Sequence, residues 1–189
     1  MGPSMNQIDK SFETLRGKPC WGVKRGYGSF LTLEFGSPHL VIREPHSPAD
    51  TVSRRVRKVL ARRIVRARGR WHLWIYCCEW RVSSNGIVVG DSTTSRRIDR
   101  AARELNGQKL LDVLINSRGA RTRFVFDLGA ELETKPFDRS SEQWLLYEPG
   151  GGVLAWRADR RYQYGPGNRP PGELKWRTLT RARIRSTSA

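Results

Sequence analysis

Trp71-His-Leu-Trp-Ile-Tyr-Cys-Cys-Glu-Trp80 is the stretch whose reading decides the fold. Counted with period two, Trp71, Leu73, Ile75 and Cys77 fall on one face and Trp74, Tyr76, Cys78 and Trp80 on the other, so both faces are apolar. The run is too short to span a membrane and is rich in residues that strands favour. It predicts a strand covered on both sides, with a buried helix of the same composition as the alternative. It points to a core and to no chemistry.

Arginines crowd the N-terminal side of this stretch. Arg54, Arg55, Arg57, Lys58, Arg62, Arg63, Arg66, Arg68 and Arg70 follow one another with no carboxylate between them. Phosphate contacts need cations spaced along one surface in this way, whereas a merely solvated face usually alternates with acids. Val52, Val56, Val59 and Leu60 suit a short helix there. Arg63 to Ala67 suits a strand that turns at Arg68-Gly69 into the Trp71 strand, which would put Arg66, Arg68 and Arg70 on one face. The whole chain of 189 residues carries a formal charge of +17, most of it arginine, so its partners are expected among nucleic acids or acidic proteins.

Further out, Asn6 to Arg16 places Ile8, Phe12 and Leu15 at helical spacing and stops at Gly17. A three-strand meander follows: Trp21 and Val23, then Phe30 to Phe35, then Leu40 to Arg43. Ser95 is the expected cap of a helix whose apolar stripe is Ile98, Ala101, Ala102 and Leu105 and whose other face is Arg96, Arg97, Arg100 and Arg103. What comes next repeats what came first. Leu15-Arg-Gly17, Val23, Leu33-Glu-Phe35-Gly36, Leu40 and Arg43-Glu-Pro45 are matched in order by Leu105-Asn-Gly107, Val113, Phe126-Asp-Leu128-Gly129, Leu132 and Thr134-Lys-Pro136. Each series then reaches a tryptophan-led strand, at Trp71 and at Trp144. The repeat predicts two β-meanders related by an approximate two-fold.

The predicted architecture is therefore mainly β (α+β), with two pseudo-repeated antiparallel meanders forming a sandwich or partly open barrel with two short helices. One domain spans 5–165, built of half-repeats at about 12–92 and 95–165. Residues 1–4 read as an expression-tag remnant. The basic stretch 166–189, with Arg181, Arg183 and Arg185, reads as a largely flexible tail in which Leu174 and Trp176 alone are candidates to dock; loss of Thr178 to Ala189 is expected to cost little stability.

Phe124-Val-Phe-Asp-Leu-Gly129, Leu132, Glu142-Gln-Trp144-Leu-Leu and Gly152-Val-Leu-Ala-Trp156 resemble a broad group of small bacterial proteins, mostly of unknown function, some of them immunity-like and encoded beside toxins. The resemblance covers residues 105 to 165 closely and 15 to 45 through the repeat. It implies a fold and no catalytic residue, and this chain departs from nuclease-blocking immunity proteins, which tend to be acidic, by its positive charge.

Other candidates read as structural. Most of the seven tryptophans sit in apolar strands and read as core, with Trp176 between Lys175 and Arg177 the exception open to base stacking. Cys20, Cys77 and Cys78 have no metal-ligand spacing with His72 and read as small buried groups of a reduced, cytoplasmic protein. Glu131 and Glu133 read as a solvent-facing strand edge. No cofactor, metal or catalytic residue is expected. The functional expectation is a non-catalytic bacterial binding protein that holds a polyanion, nucleic acid first, through the run from Arg54 to Arg70, the arginines of the second helix, and Lys175, Trp176 and Arg177. The alternative is a toxin-immunity or other module that binds an acidic protein.

Overall fold

The computed structural model describes residues 6–47, 51–116, 121–169 and 173–179. The chain opens with α1 (Gln7–Glu13), capped by the Asn6 side chain, which accepts from the Asp9 amide. Three strands follow, β1 (Cys20–Arg25), β2 (Leu31–Phe35) and β3 (His39–Arg43), then α2 (Arg54–Leu60) and β4 (Ile64–Arg68). β5 (Trp71–Ile75), β6 (Cys78–Ser84) and β7 (Ile87–Asp91) complete the first half. The second half has α3 (Ser95–Leu105), β8 (Leu110–Ile115), β9 (Thr122–Phe126), β10 (Ala130–Pro136), β11 (Glu142–Tyr147), β12 (Gly152–Arg157) and β13 (Arg161–Pro166), and β14 (Arg177–Thr178) ends it. Thr94 rather than Ser95 caps α3, accepting from the Arg97 amide.

The strands form a seven-stranded sheet in the order β1-β2-β5-β11-β12-β13-β14, a five-stranded sheet in the order β7-β6-β10-β9-β8, and a separate two-stranded ribbon, β3-β4. All the pairings are antiparallel and neither large sheet closes into a barrel, so the mainly-β, sandwich-like reading holds. A single cluster of buried side chains draws on both sheets and on α1 and α3: Leu33, Leu73 and Leu146 from one sheet, Phe124, Leu132 and Val82 from the other. Phe12 of α1 packs edge-on against Phe124 and Trp144, joining all three layers of the contact. Among the described residues no helix is long and apolar enough to cross a membrane.

The Trp71 stretch is two strands rather than one. Cys77 adopts a positive φ of 51°, a left-handed conformation that ends the pleat, and is exposed. After it the alternation starts afresh: Leu73 and Ile75 of β5 point into the core, and so do Cys78, Trp80 and Val82 of β6, but in the other sheet. The outer face of β5 carries His72 and Trp74, both only part-buried. The doubly covered strand expected from the sequence is thus replaced by a strand with one open face.

The internal repeat is present in the topology, with a different register from the one the motifs suggest. Cys20 pairs with Phe35 as Leu110 pairs with Phe126, and Leu33 pairs with Leu73 as Phe124 pairs with Leu132. Each half then sends its next strand into the opposite sheet, so that Trp144 lies across from Ile75 and Trp80 across from Thr134. The equivalent of β10 is therefore β5, and the tryptophans that correspond are Trp80 and Trp144. Leu40 to Pro45 has no counterpart, because β3 leaves the meander to pair with β4. At the junction of the halves the bonds are reciprocal: Gly17 N–H donates to Leu110 O at 2.7 Å and Gly107 N–H to Cys20 O at 2.8 Å, with both glycines at positive φ where a side chain would be strained.

The halves differ in one connection. β9 reaches β10 through the three residues Asp127, Leu128 and Gly129, whereas β2 reaches β5 through everything from Gly36 to Arg70. The cationic run lies in that insertion.

The tail is partly docked. β14 pairs with β13, Leu174 packs at Gly165, and Leu179 is 4 % exposed within the core cluster. The buried Leu179 lies within the stretch Thr178 to Ala189 whose loss the composition suggests would cost little, so its burial argues for a larger cost than composition implies. Arg181, Arg183 and Arg185 lie outside the described residues. Leu179→Ala is expected to lower stability by about 2–5 kcal/mol, read as a reduced midpoint of denaturant unfolding with an unchanged slope.

Candidate nucleic-acid interface

The insertion stands off the body. No residue of β3, α2 or β4 is buried, because their side chains are cationic or meet no second layer. Register assigns the two faces of the ribbon: His39 lies opposite Arg68 and Val41 opposite Arg66, while Leu40 lies opposite Ala67 and Ile42 opposite Val65. The first set turns towards the outer face of the seven-stranded sheet and, with Arg70, lines a cleft of about 1210 Å³. The second set turns away and is solvated, with Leu40 67 % exposed.

The floor of the cleft is the outer face of three adjoining strands. Thr32 of β2 lies across from Trp74 of β5, and His72 of β5 across from Tyr147 of β11. Its near end is the β1-β2 turn with Tyr27 and Phe30, and its far end the turn at Pro149 to Gly151. The rings form one continuous strip: Trp74 stacks on Tyr76 with centroids 4.7 Å apart, Phe30 meets both edge-on, and Tyr27 meets Phe30 at 6.4 Å. Tyr27 is 88 % exposed.

Glu34 fixes the ribbon to this floor. Its side chain is 1 % exposed, one carboxylate oxygen accepts from the Gly69 amide at 3.0 Å, and the other lies 3.0 Å from His72 Nδ1 and 3.6 Å from Arg68. Burial pushes the carboxyl up, but the hydrogen bond and charge of His72, the Gly69 amide and Arg68 outweigh it and hold it below the usual glutamate value. His72, with Nδ1 engaged, presents the rest of its ring to the cleft beside Tyr147 at 5.6 Å. Gly69 sits so close to Phe35 that an added Cβ would come within 2.6 Å of that residue's backbone, which is why the ribbon can leave the sheet only through glycine here.

The sequence-predicted cations do not form one surface. Arg66, Arg68 and Arg70 share the cleft wall, as the strand spacing suggests. Arg54, Arg55, Arg57 and Lys58 lie on α2 at the far end of the ribbon, where Arg43 donates to Val59 O at 2.7 Å; Arg62 and Arg63 follow the helix, and Arg63 is paired with Glu44. Arg96, Arg97, Arg100 and Arg103 lie on α3, which packs over β1 and β7; Arg97 is paired with Asp91, and Arg103 lines a separate groove along β1. Arg177 lies on β14, the edge strand of the sheet farthest from β1, and Lys175 and Trp176 lead into it. Trp176 stacks on the Arg157 guanidinium at 4.6 Å, at the end of β12 remote from the Gly151 turn and about 17 Å away along the strand.

The rings that line the site are those that sequence reasoning assigned to the core or passed over. Carrying the alternation through Cys77 places Trp74 on a covered face; the polar His72 two residues earlier on the same face signals that this face is open. Glu34, a lone carboxylate between Leu33 and Phe35, is the other signal. Cys20 and Cys78 are buried, and burial pushes the Cys20 thiol up to about 12, so neither is a nucleophile at neutral pH. Glu131 and Glu133 are on a central strand rather than an edge, and are neutralised by Arg123 and by Arg81 and Arg121 respectively. Among the described residues no group of three His, Cys, Asp or Glu side chains could hold a metal ion.

No family model, curated protein or solved structure matches this chain.

A carboxyl held below its ordinary pKa contributes stability that is present above that value and is lost as pH falls through the lower, folded value. Wild type should therefore lose stability on acidification below about pH 4.3, and Glu34→Gln, though less stable at neutral pH, should show a shallower loss over that interval. Thermal unfolding across pH 3 to 7 reads both slopes.

Proposed function

We propose that this is a non-catalytic binding protein whose insertion and cleft hold a polyanion, a nucleic-acid backbone in the first place, without strong sequence specificity. What supports the reading is the contrast in how arginines are used. On the outer face of the five-stranded sheet they are neutralised across strands: Arg81 and Arg121 flank Glu133, and Arg123 meets Glu131. On the cleft wall Arg66 and Arg70 are exposed and have no carboxylate partner among the described residues, and Arg68 is only loosely engaged by Glu34 at 3.6 Å. Exposed, unneutralised guanidinium groups spaced two residues apart are suited to successive phosphates, and displacement of counterions supplies the affinity. The four basic side chains of α2 extend the same field beyond the cleft. The free cysteines accord with a reducing, cytoplasmic setting.

A second reading, a toxin-immunity or other module for an acidic protein partner, is favoured by the far face of the ribbon. Leu40, Ile42 and Val65 are there 67 %, 53 % and 52 % exposed, an apolar patch flanked by cations.

Titration with labelled single-stranded DNA, duplex DNA and RNA over a salt series separates the two. Affinity should fall with salt, and Arg66→Gln with Arg70→Gln, neither of which touches Glu34, should flatten the log–log slope by about 1.5–2 units while leaving the fold intact. Absence of binding to all three nucleic acids by the folded wild type would shift the reading to the protein partner.

A further inference from the structure

Resting on the polyanion reading, we propose that the occupant of the cleft is a single strand, its phosphates on the ribbon wall and its bases stacked on the aromatic strip of Tyr27, Phe30 and Trp74. Three observations carry this. The first is juxtaposition: Arg66, Arg68 and Arg70 form one side of the same cleft whose floor and near end hold Trp74, Phe30 and Tyr27. Cations that track a backbone beside rings that receive bases are the two requirements for holding an unpaired strand, and every base has a π-face to offer.

The second is the exposure of those rings. A ring in contact with its neighbours and otherwise covered is packing, but Tyr27 touches the strip through Phe30 and remains 88 % exposed. Leaving so large an apolar surface in water on a tight glycine turn, between Gly26 and Gly28, serves no packing purpose. Gly28 has a positive φ of 60°, which holds the turn in a shape that other residues resist.

The third is the direction in which the ribbon faces. A two-stranded ribbon is narrow enough to enter the major groove of a duplex, but it would then need its polar face outward. Here the outward face is Leu40, Ile42, Val65 and Ala67, and the guanidinium groups of Arg66 and Arg68 turn inward over the sheet. Base pairs inside a duplex also present edges rather than faces, so the rings would have nothing to stack on. The cleft, at about 1210 Å³, exceeds the roughly 300–1,000 Å³ usual for small-molecule sites, which favours a chain segment over a lone nucleotide.

An oligothymidylate, an abasic oligomer of the same length and a duplex of the same length, each end-labelled, distinguish the contributions, because the first two carry the same phosphates. Wild type should bind oligothymidylate about 10-fold or more tighter than the abasic oligomer. Tyr27→Ala should lose much of that difference without loss of stability, since its ring is solvated, and Tyr27→Ala with Trp74→Ala should abolish it while the salt slope stays at the wild-type value. Trp74→Phe, which keeps a ring, should retain most of it and guards against a folding defect in Trp74→Ala. Equal affinity of wild type for oligothymidylate and the abasic oligomer would overturn the stacking proposal and leave the backbone reading standing if the arginine substitutions still flatten the slope. Tighter binding of the duplex than of the single strand would likewise overturn it. No binding to any of the three would overturn both.

Discussion

The placement of the cationic ribbon depends on one buried carboxylate. β3, α2 and β4 bury none of their own residues, so the hydrophobic effect does little to hold them over the sheet. Glu34, on the outer face of β2, accepts from the Gly69 amide at the foot of the ribbon and engages Arg68 from the ribbon and His72 from the cleft floor. A carboxylate with 1 % exposure is tolerated only when paired and hydrogen-bonded, and removing any one partner leaves the cost of burying the charge while losing part of what offsets it. The same group that is expensive to bury thus sets the angle between the arginine wall and the aromatic floor.

The rest of the scaffold repeats one strand topology. Two equivalent meanders exchange their following strands, and the reciprocal bonds of Gly17 and Gly107 lock the halves together. Within this arrangement the second half closes its β9–β10 connection in three residues, while the first half uses the equivalent connection to build the ribbon. The candidate site is where the repeat is broken. An insertion between strands of a well-packed sheet costs little beyond loop closure, which grows slowly with length, so a binding device can be added there without disturbing the core.

Charge and aromatic surface act over different distances at this site. A net charge of +17 acts out to about a Debye length, is weakened by salt, and does not distinguish one polyanion from another. The rings act only in contact and are insensitive to salt. Arg81, Arg121 and Arg123 contribute to the long-range field, yet their pairing with Glu131 and Glu133 leaves them poorly suited to direct phosphate contact. Local neutralisation on the outer face of the five-stranded sheet therefore leaves the insertion the more cationic of the two.

Composition and period-two patterning determined that the chain is mainly β with a short entering helix for each half, and that it carries a repeat and an excess of arginine. These follow from local preferences and from side-chain periodicity, which are properties of residues near one another in sequence. Leu15-Arg-Gly17 and Leu105-Asn-Gly107 were legible as equivalents for that reason. Tertiary structure decided the rest. Whether Trp74 faces a core or a cleft turns on a left-handed Cys77 that passes the chain from one sheet to the other, and nothing in the residue type announces it. Whether Leu179 is part of a tail or of the core depends on an edge strand being free to receive β14. The union of Arg66 to Arg70 with Tyr27 and Trp74, and the separation of both from Trp176 and the α3 arginines, depends on which strands pair. Pairing is chosen by the burial of apolar faces summed over the whole domain, and no segment carries that sum by itself.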